Sequence, residues 1–162
     1  YEELVPIQLE LPKRYGWRQH RLLRHQTSDS RSKCCANHFG SDNSVEVLGT
    51  GGVIYPRLGV LVGPLAVESL SGMHADVAVM SAGGITLDGI TNSHALLIDI
   101  QRAMIESAQR IIFCLDPPKF NRRSVSPLCE LDVVDTIVTD AQAPADLVDQ
   151  LKQTGIEVVV AD

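Results

Sequence analysis

The stretch Gly83–Asp116, GGITLDGITNSHALLIDIQRAMIESAQRIIFCLD, decides how the rest of the chain is read. It divides into loop, helix and strand. Gly and Asp favour turns and positive φ, so Gly83–Asn92 is expected to be irregular. From Ser93 onward, Leu96, Leu97, Ile100, Ala103, Met104 and Ala108 recur at helical spacing. Asn92 and Ser93 both carry a side-chain oxygen that can take up a free amide of the first turn, which makes them the expected N-caps. Ile111–Leu115 is short, apolar and closed by Asp116-Pro117-Pro118, the pattern of a buried strand. A glycine turn that feeds a helix N-terminus is a place where anions bind.

Working outward, the flanks repeat the alternation. Val45–Leu48 reads as a strand, followed by Gly49-Thr50-Gly51-Gly52 and an apolar stretch to Tyr55. Val60–Val62 precedes Gly63-Pro64, and Pro64 suits a first helical turn. Leu65, Val67 and Leu70 are expected to face one way until Gly72 stops that helix. Asp76–Ser81 reads as the strand entering the central stretch. Beyond it comes a polar loop, PPKFNRRSVSP, and then a strand over Val133–Val138 ended by Thr139-Asp140. Pro144 opens a helix with Leu147, Val148 and Leu151 inward and Gly155 as its stop, before a last strand over Ile156–Val160. Strands that are unbroken apolar runs, alternating with helices, predict an α/β fold: a mostly parallel sheet with helices on both faces. Ligands of such sheets sit at the carboxyl ends of the strands. That rule gathers Gly49–Gly52, Ser81–Gly84, Asp116–Lys119 and Asp140 along one edge.

Residues 1–44 have a different texture. Glu2–Leu11 alternates enough for a strand or strap, whereas Lys13 to Ser44 shows no sustained period and reads as solvated. Net charge is −6 over 162 residues, which opposes nucleic-acid binding through overall charge. The charge is uneven: residues 1–40 hold seven Lys/Arg against four Asp/Glu, and residues 41–162 hold seven against sixteen. A basic arm built from Arg14, Arg18, Arg21 and Arg24 is the sharper reading of that excess. Four cysteines do not make a disulfide framework in a chain of this kind, and Cys114 fits a small core position. Cys34-Cys35-x-x-His38 matches the usual ligand spacings of zinc poorly, so no metal is expected. No apolar run reaches the length of a membrane span and no signal pattern opens the chain, so a cytoplasmic location is expected.

The gathered edge offers backbone amides, a helix N-terminus and Lys119, a kit suited to phosphate. Asp88, Asn92 and Asp116 are placed to hydrogen-bond hydroxyls. Catalytic equipment is thinner. His94 and Asp99 lie five positions apart on one helix, which separates them around it. No Ser/His/Asp or Cys/His set and no Walker or GxGxxG loop is present, so no catalytic residue and no cofactor is assigned.

Several spaced motifs carry a resemblance. Gly51-Gly52 stands ten residues before Gly63-Pro64-Leu65-Ala66. Then come Gly89-Ile90-Thr91-Asn92-Ser93 running into Gln101-Arg102-Ala103-Met104-Ile105, Asp116-x-x-Lys119-Phe120, Val134-Asp135-Thr136-Ile137-Val138-Thr139-Asp140, and Gly155-Ile156-Glu157-Val158-Val159-Val160. Together, over about residues 45–162, they resemble the sugar-phosphate sensor domain of DeoR-type bacterial transcriptional regulators. The resemblance implies an isomerase-like α/β domain that binds a phosphorylated sugar or its catabolite, releases a repressor from its operator and forms homo-oligomers. Carried over by position, Gly51, Gly52, Ser81, Gly83, Asn92, Asp116 and Lys119 would line the pocket, with Lys119 as phosphate partner.

The departures are specific. Residues 1–44 resemble neither the winged helix-turn-helix domain of such regulators nor the Asp-x-Gly-Thr-Thr loop that opens their sensor. DNA contact is therefore expected only through a module not found in these residues. The abrupt change near Asp42 suggests that residues of about 13–40 are frameshifted or rearranged. Pro117-Pro118 replaces small hydroxyl residues, Gln101 stands where a lysine is frequent, and Gly83 where an acid often stands. Three readings follow: a sensor that binds without turnover, a sugar-phosphate isomerase on the related fold, or a degenerate oligomerisation module that binds nothing. Isomerisation requires a positioned general base, and Asp88, His94 and Asp116 form no convincing acid/base pair.

Overall fold

Helix and strand meet without a loop at the centre of the chain: the helix Ala95–Ser107 ends and the strand Ala108–Cys114 begins at the next residue. The computed structural model describes residues 8–10, 49–55 and 60–161. The expected strand at Val45–Leu48, the arginine-rich segment and Cys34-Cys35-x-x-His38 lie outside the described residues.

In chain order the elements are β1 (Gln8–Glu10), β2 (Val53–Tyr55), β3 (Val60–Val62), α1 (Pro64–Ser71), β4 (Ala75–Met80), β5 (Gly84–Thr86), β6 (Gly89–Asn92), α2 (Ala95–Ser107), β7 (Ala108–Cys114), β8 (Ser126–Cys129), β9 (Thr136–Asp140), α3 (Ala145–Gln153) and β10 (Glu157–Ala161). The main sheet has the order β1-β4-β7-β9-β10. β4, β7, β9 and β10 are parallel, and β1 pairs antiparallel with β4. This is the expected α/β architecture, a parallel sheet flanked by helices.

Register explains where the core sits. Ala78 pairs with Ile111, Met80 with Phe113, and Phe113 with Ile137. Alternate residues of a strand share a face, so these five lie on one side of the sheet, and all are buried. They join one apolar cluster with Leu97, Ile100 and Met104 of α2 and Leu147, Val148 and Leu151 of α3. Val77, Val79, Ile112, Cys114 and Val138 alternate with them and are half-buried. Runs with apolar residues on both sides therefore look continuous in sequence. β10 is the exception: Val159 and Val160 remain exposed, as befits a strand with one described neighbour.

Five local expectations are corrected. Gly83–Asn92 is not irregular: β5 and β6 form an antiparallel hairpin, and β8 extends it to a second, three-stranded sheet. The glycines serve close approach there. A β-carbon on Gly89 would lie 2.7 Å from the Cys129 carbonyl oxygen, and the residue has φ 131°. Second, the polar stretch after Asp116 contains β8 as well as a 3₁₀ turn over Pro117–Lys119. Third, Leu131–Val133 is a further 3₁₀ turn, so β9 begins only at Thr136 and includes Thr139 and Asp140. Fourth, α1 buries Ala66 and Leu70 and leaves Leu65 exposed. Fifth, the N-cap of α2 is His94, with no side-chain cap bond; its carbonyl accepts from the Leu97 and Ile98 amides.

Candidate functional site

The parallel strands bring Ser81, just after β4, Asp116, two residues past β7, and Asp140, the last residue of β9, to the same carboxyl edge. At this edge runs a chain of hydrogen bonds. The Ser93 amide donates to Asn92 Oδ1 at 2.8 Å, Asn92 Nδ2 donates to Gln101 Oε1 at 2.7 Å, and Gln101 Nε2 donates to the Ser81 carbonyl at 2.6 Å. Asn92 and Gln101 are both buried. A mid-helix side chain thus ties the end of β4 to the end of β6.

The neighbouring turn is held equally closely. The Gly83 amide donates to the Thr91 carbonyl at 2.9 Å, and a β-carbon on Gly83 would lie 2.8 Å from Ser124 Oγ and 3.2 Å from Asn92 Cα. Thr91 Oγ1 accepts from the Ser124 amide at 2.8 Å and donates to the Gly84 carbonyl at 3.2 Å. Ile85 forms a parallel bridge with Phe120, so the segment after Lys119 runs beside β5. Lys119 closes its 3₁₀ turn by donating its amide to the Asp116 carbonyl at 3.0 Å. Its residue exposure is only 7%, which removes it from the class of solvated loop lysines; Asp116 is exposed.

Gly51 and Gly52 immediately precede β2, which pairs with β3 in a separate two-stranded sheet. Both have positive φ, 72° and 102°, and a β-carbon on Gly52 would meet the Val62 carbonyl oxygen at 2.6 Å. Ser69 Oγ of α1 donates to the Thr50 carbonyl at 2.7 Å, which fastens this turn to that helix. Among the described residues no hydrogen bond joins Gly51 or Gly52 to the Ser81–Gln101–Asn92 chain. Nor do the seven residues line either of two cavities among the described residues. One, of about 100 Å³, lies between Tyr55, Val62 and the first turn of α2; the other, of about 380 Å³, lies between Arg102, Arg123, Asp88 and Glu130. Asp88, expected to serve hydroxyls, is instead ion-paired with Arg123 at an exposed position.

Nucleophilic chemistry has little support in the thiols. Burial, with Asp132 adding to it and Arg102 opposing, pushes the Cys129 thiol up to about 12, and burial raises Cys114 as well. Both are protonated at neutral pH, so neither supplies a thiolate. Among the described residues no cluster of His, Cys, Asp or Glu is placed to hold a metal ion, and no helix is long and apolar enough to cross a membrane.

The DeoR C terminal sensor domain profile matches residues 31–141. The chain belongs to the DeoR sensor-domain family. The match begins upstream of the motifs that start at Gly51. The proposed aga operon transcriptional repressor of Escherichia coli O157:H7 is 32% identical over 126 residues, covering 77% of this chain and 47% of that protein. The L-fucose operon activator of Haemophilus influenzae is 30% identical, over 76% of this chain and 50% of its own length. The HTH-type transcriptional repressor GlcR of Bacillus subtilis is 28% identical, over 78% and 49%. This DeoR-family chain spans about half the length of the curated relatives it matches. Gln101, to which the sequence reading gave no role at the site, is the residue that joins Ser81 to Asn92. The signal was present: a polar side chain on the buried stripe of α2, between Leu97 and Met104.

Proposed function

We propose that this chain is the effector-binding domain of a DeoR-type transcriptional repressor and that it takes up a phosphorylated sugar or catabolite without turning it over. The observation that carries the reading is the buried Asn92–Gln101–Ser81 chain at the sheet's carboxyl edge, in a DeoR sensor domain. In this reading Lys119 meets the phosphate. The Ser81–Gly83 turn lies against the ligand, its Gly83 amide held by the Thr91 carbonyl, and Asn92 and Asp116 bind hydroxyls. Gly51 and Gly52 contribute by backbone from the turn fastened to α1. The sugar-operon names of the relatives support a sugar as effector. The protein acts in the cytoplasm as a homo-oligomer, and DNA is contacted by a helix-turn-helix module distinct from these residues. Two units divide the chain, an atypical segment over residues 1–44 and the sensor over 45–162.

Binding without catalysis is favoured over isomerisation because, among the described residues, the edge holds amides and a lysine but no paired acid and base. A thermal-shift screen of triose, pentose and hexose phosphates beside their free sugars tests the reading. One phosphorylated sugar at about 100 times its Kd is expected to add roughly 2.7 kcal/mol, or about 5–10 °C in Tm for a domain of this size. The free sugar is expected to leave Tm unmoved, and the bound phosphate to be recovered unchanged after incubation. A cooperative melt that none of them shifts would overturn the reading; conversion of the bound sugar would restore the isomerase.

A further inference from the structure

We propose that Gln101 is the positioning residue of the effector site: its carboxamide sets the orientation of the Asn92 side chain and of the Ser81 turn, and effector affinity depends on that setting. The inference rests on the proposed function. Its physical basis is the polarity of the hydrogen-bond chain. One end is a backbone donor, the Ser93 amide, and the other a backbone acceptor, the Ser81 carbonyl. With both ends fixed, each carboxamide between them has one permitted orientation. Turning Asn92 over would face its NH₂ against the Ser93 N–H and its oxygen against Gln101 Oε1. Turning Gln101 over would face two oxygens at Ser81.

This arrangement does more than fill space. Gln101 is 2% exposed on α2, and its two bonds, at 2.7 and 2.6 Å, reach β6 and the end of β4. It therefore couples a helix of the main layer to the three-stranded sheet, at the point where the candidate binding residues stand. Asn92 donates one N–H to Gln101, and that bond fixes the direction of its second N–H. A side chain unable both to accept and to donate at position 101 leaves Asn92 Nδ2 and the Ser81 carbonyl without these partners and frees the turn to reorient.

Gln101→Glu separates positioning from packing, because its two protonation states differ in one function. The protonated carboxyl has the shape of the carboxamide: its carbonyl accepts from Asn92 and its hydroxyl donates to Ser81. The ionised form has no donor and faces the Ser81 carbonyl with a negative charge. Burial raises such a carboxyl above the ordinary glutamate value of about 4.3, which brings the change into a usable range. The readout is Kd, measured by calorimetry well below Tm, from pH 5 to 8, for hexose 1-phosphates, hexose 6-phosphates, triose phosphates and inorganic phosphate. The ratio of variant to wild-type Kd cancels the phosphate's own titration.

The expected ratio is near one at low pH and rises by about tenfold or more as the carboxyl ionises. Gln101→Met, which keeps length but neither accepts nor donates in this way, is expected to bind weakly at every pH. A ratio that stays flat while the variant's Tm falls with pH would overturn the proposal and leave Gln101 a purely structural residue. Unaltered Kd in Gln101→Met would overturn it too. Wild-type protein that binds none of the probes overturns the proposed function itself, and the positioning role with it.

Discussion

Gly84 packs so closely that a β-carbon there would overlap the carbonyl oxygen of Arg122 and sit 2.8 Å from its carbon, both backbone atoms that cannot swing aside. Gly84→Ala must therefore shift the Lys119–Ser124 segment or the hairpin. The expected cost is about 1–3 kcal/mol, a fall of roughly 2–4 °C in Tm per kcal/mol, readable in a thermal melt. An unchanged Tm would mean that the segment is not held against β5. Cys129 carries a second expectation. Its thiol is pushed up to about 12 in the folded protein, whereas the unfolded thiol ionises near its ordinary value of about 8.5. Below that ordinary value both states are protonated and this contribution is fully present. As pH rises from about 8.5 toward 12 the unfolded state sheds the proton first, so Cys129 makes stability fall. Alkylation by iodoacetamide at pH 8 is accordingly expected to be slow in native protein and fast after denaturation.

At the scale of elements, the contrast lies between the central strands and the hairpin β2–β3. Ala78, Phe113 and Ile137 are wholly buried, whereas Val53 and Ile54 of β2 are 68% and 60% exposed. A two-stranded hairpin has little stability of its own, and this one leans on α1 through Gly52 and Ser69. Hydrogen exchange is expected to follow. Amides of β2 and β3 should exchange through local opening within minutes, and those of β4, β7 and β9 only through global unfolding. Equal protection in both would show that the hairpin is part of the cooperative core. The same contrast bears on the proposed site, in which Gly51 and Gly52 would reach an effector from the start of this weaker element. The three-stranded sheet, by comparison, is sewn to α2 by Arg102, whose guanidinium donates to the Pro127 and Leu128 carbonyls at 2.9 and 3.2 Å.

For the whole molecule, element types over residues 60–161 were largely legible in the sequence, because each main strand and helix is a local pattern bounded by Gly, Pro or a change of period. Pro64, Gly72, Pro144 and Gly155 mark boundaries that the structure keeps. Family membership was legible for a related reason: motifs in register report a shared fold without any need to know its contacts. The second sheet was not. Glycines chosen for close approach at positions 84 and 89 resemble glycines chosen for turns, since both lack a side chain and only the opposing backbone tells them apart. The caps of α2 were misread because Asn92 and Ser93 have the chemistry of a cap, but Asn92 Oδ1 accepts from the Ser93 amide while its Nδ2 is held by Gln101. For the candidate site, the strand-end rule gathered Gly49–Gly52, Ser81–Gly84, Asp116–Lys119 and Asp140, and the family resemblance nominated Asn92 beside them. Sequence could not foresee that Lys119 is buried, that Asp88 is engaged by Arg123, or that Gln101 joins the ends of two strands. Local pattern follows from neighbours along the chain, so residue order alone determines it. Burial and hydrogen-bond partnership depend on residues nine, twenty or thirty-five positions away, and only the packed chain brings those together.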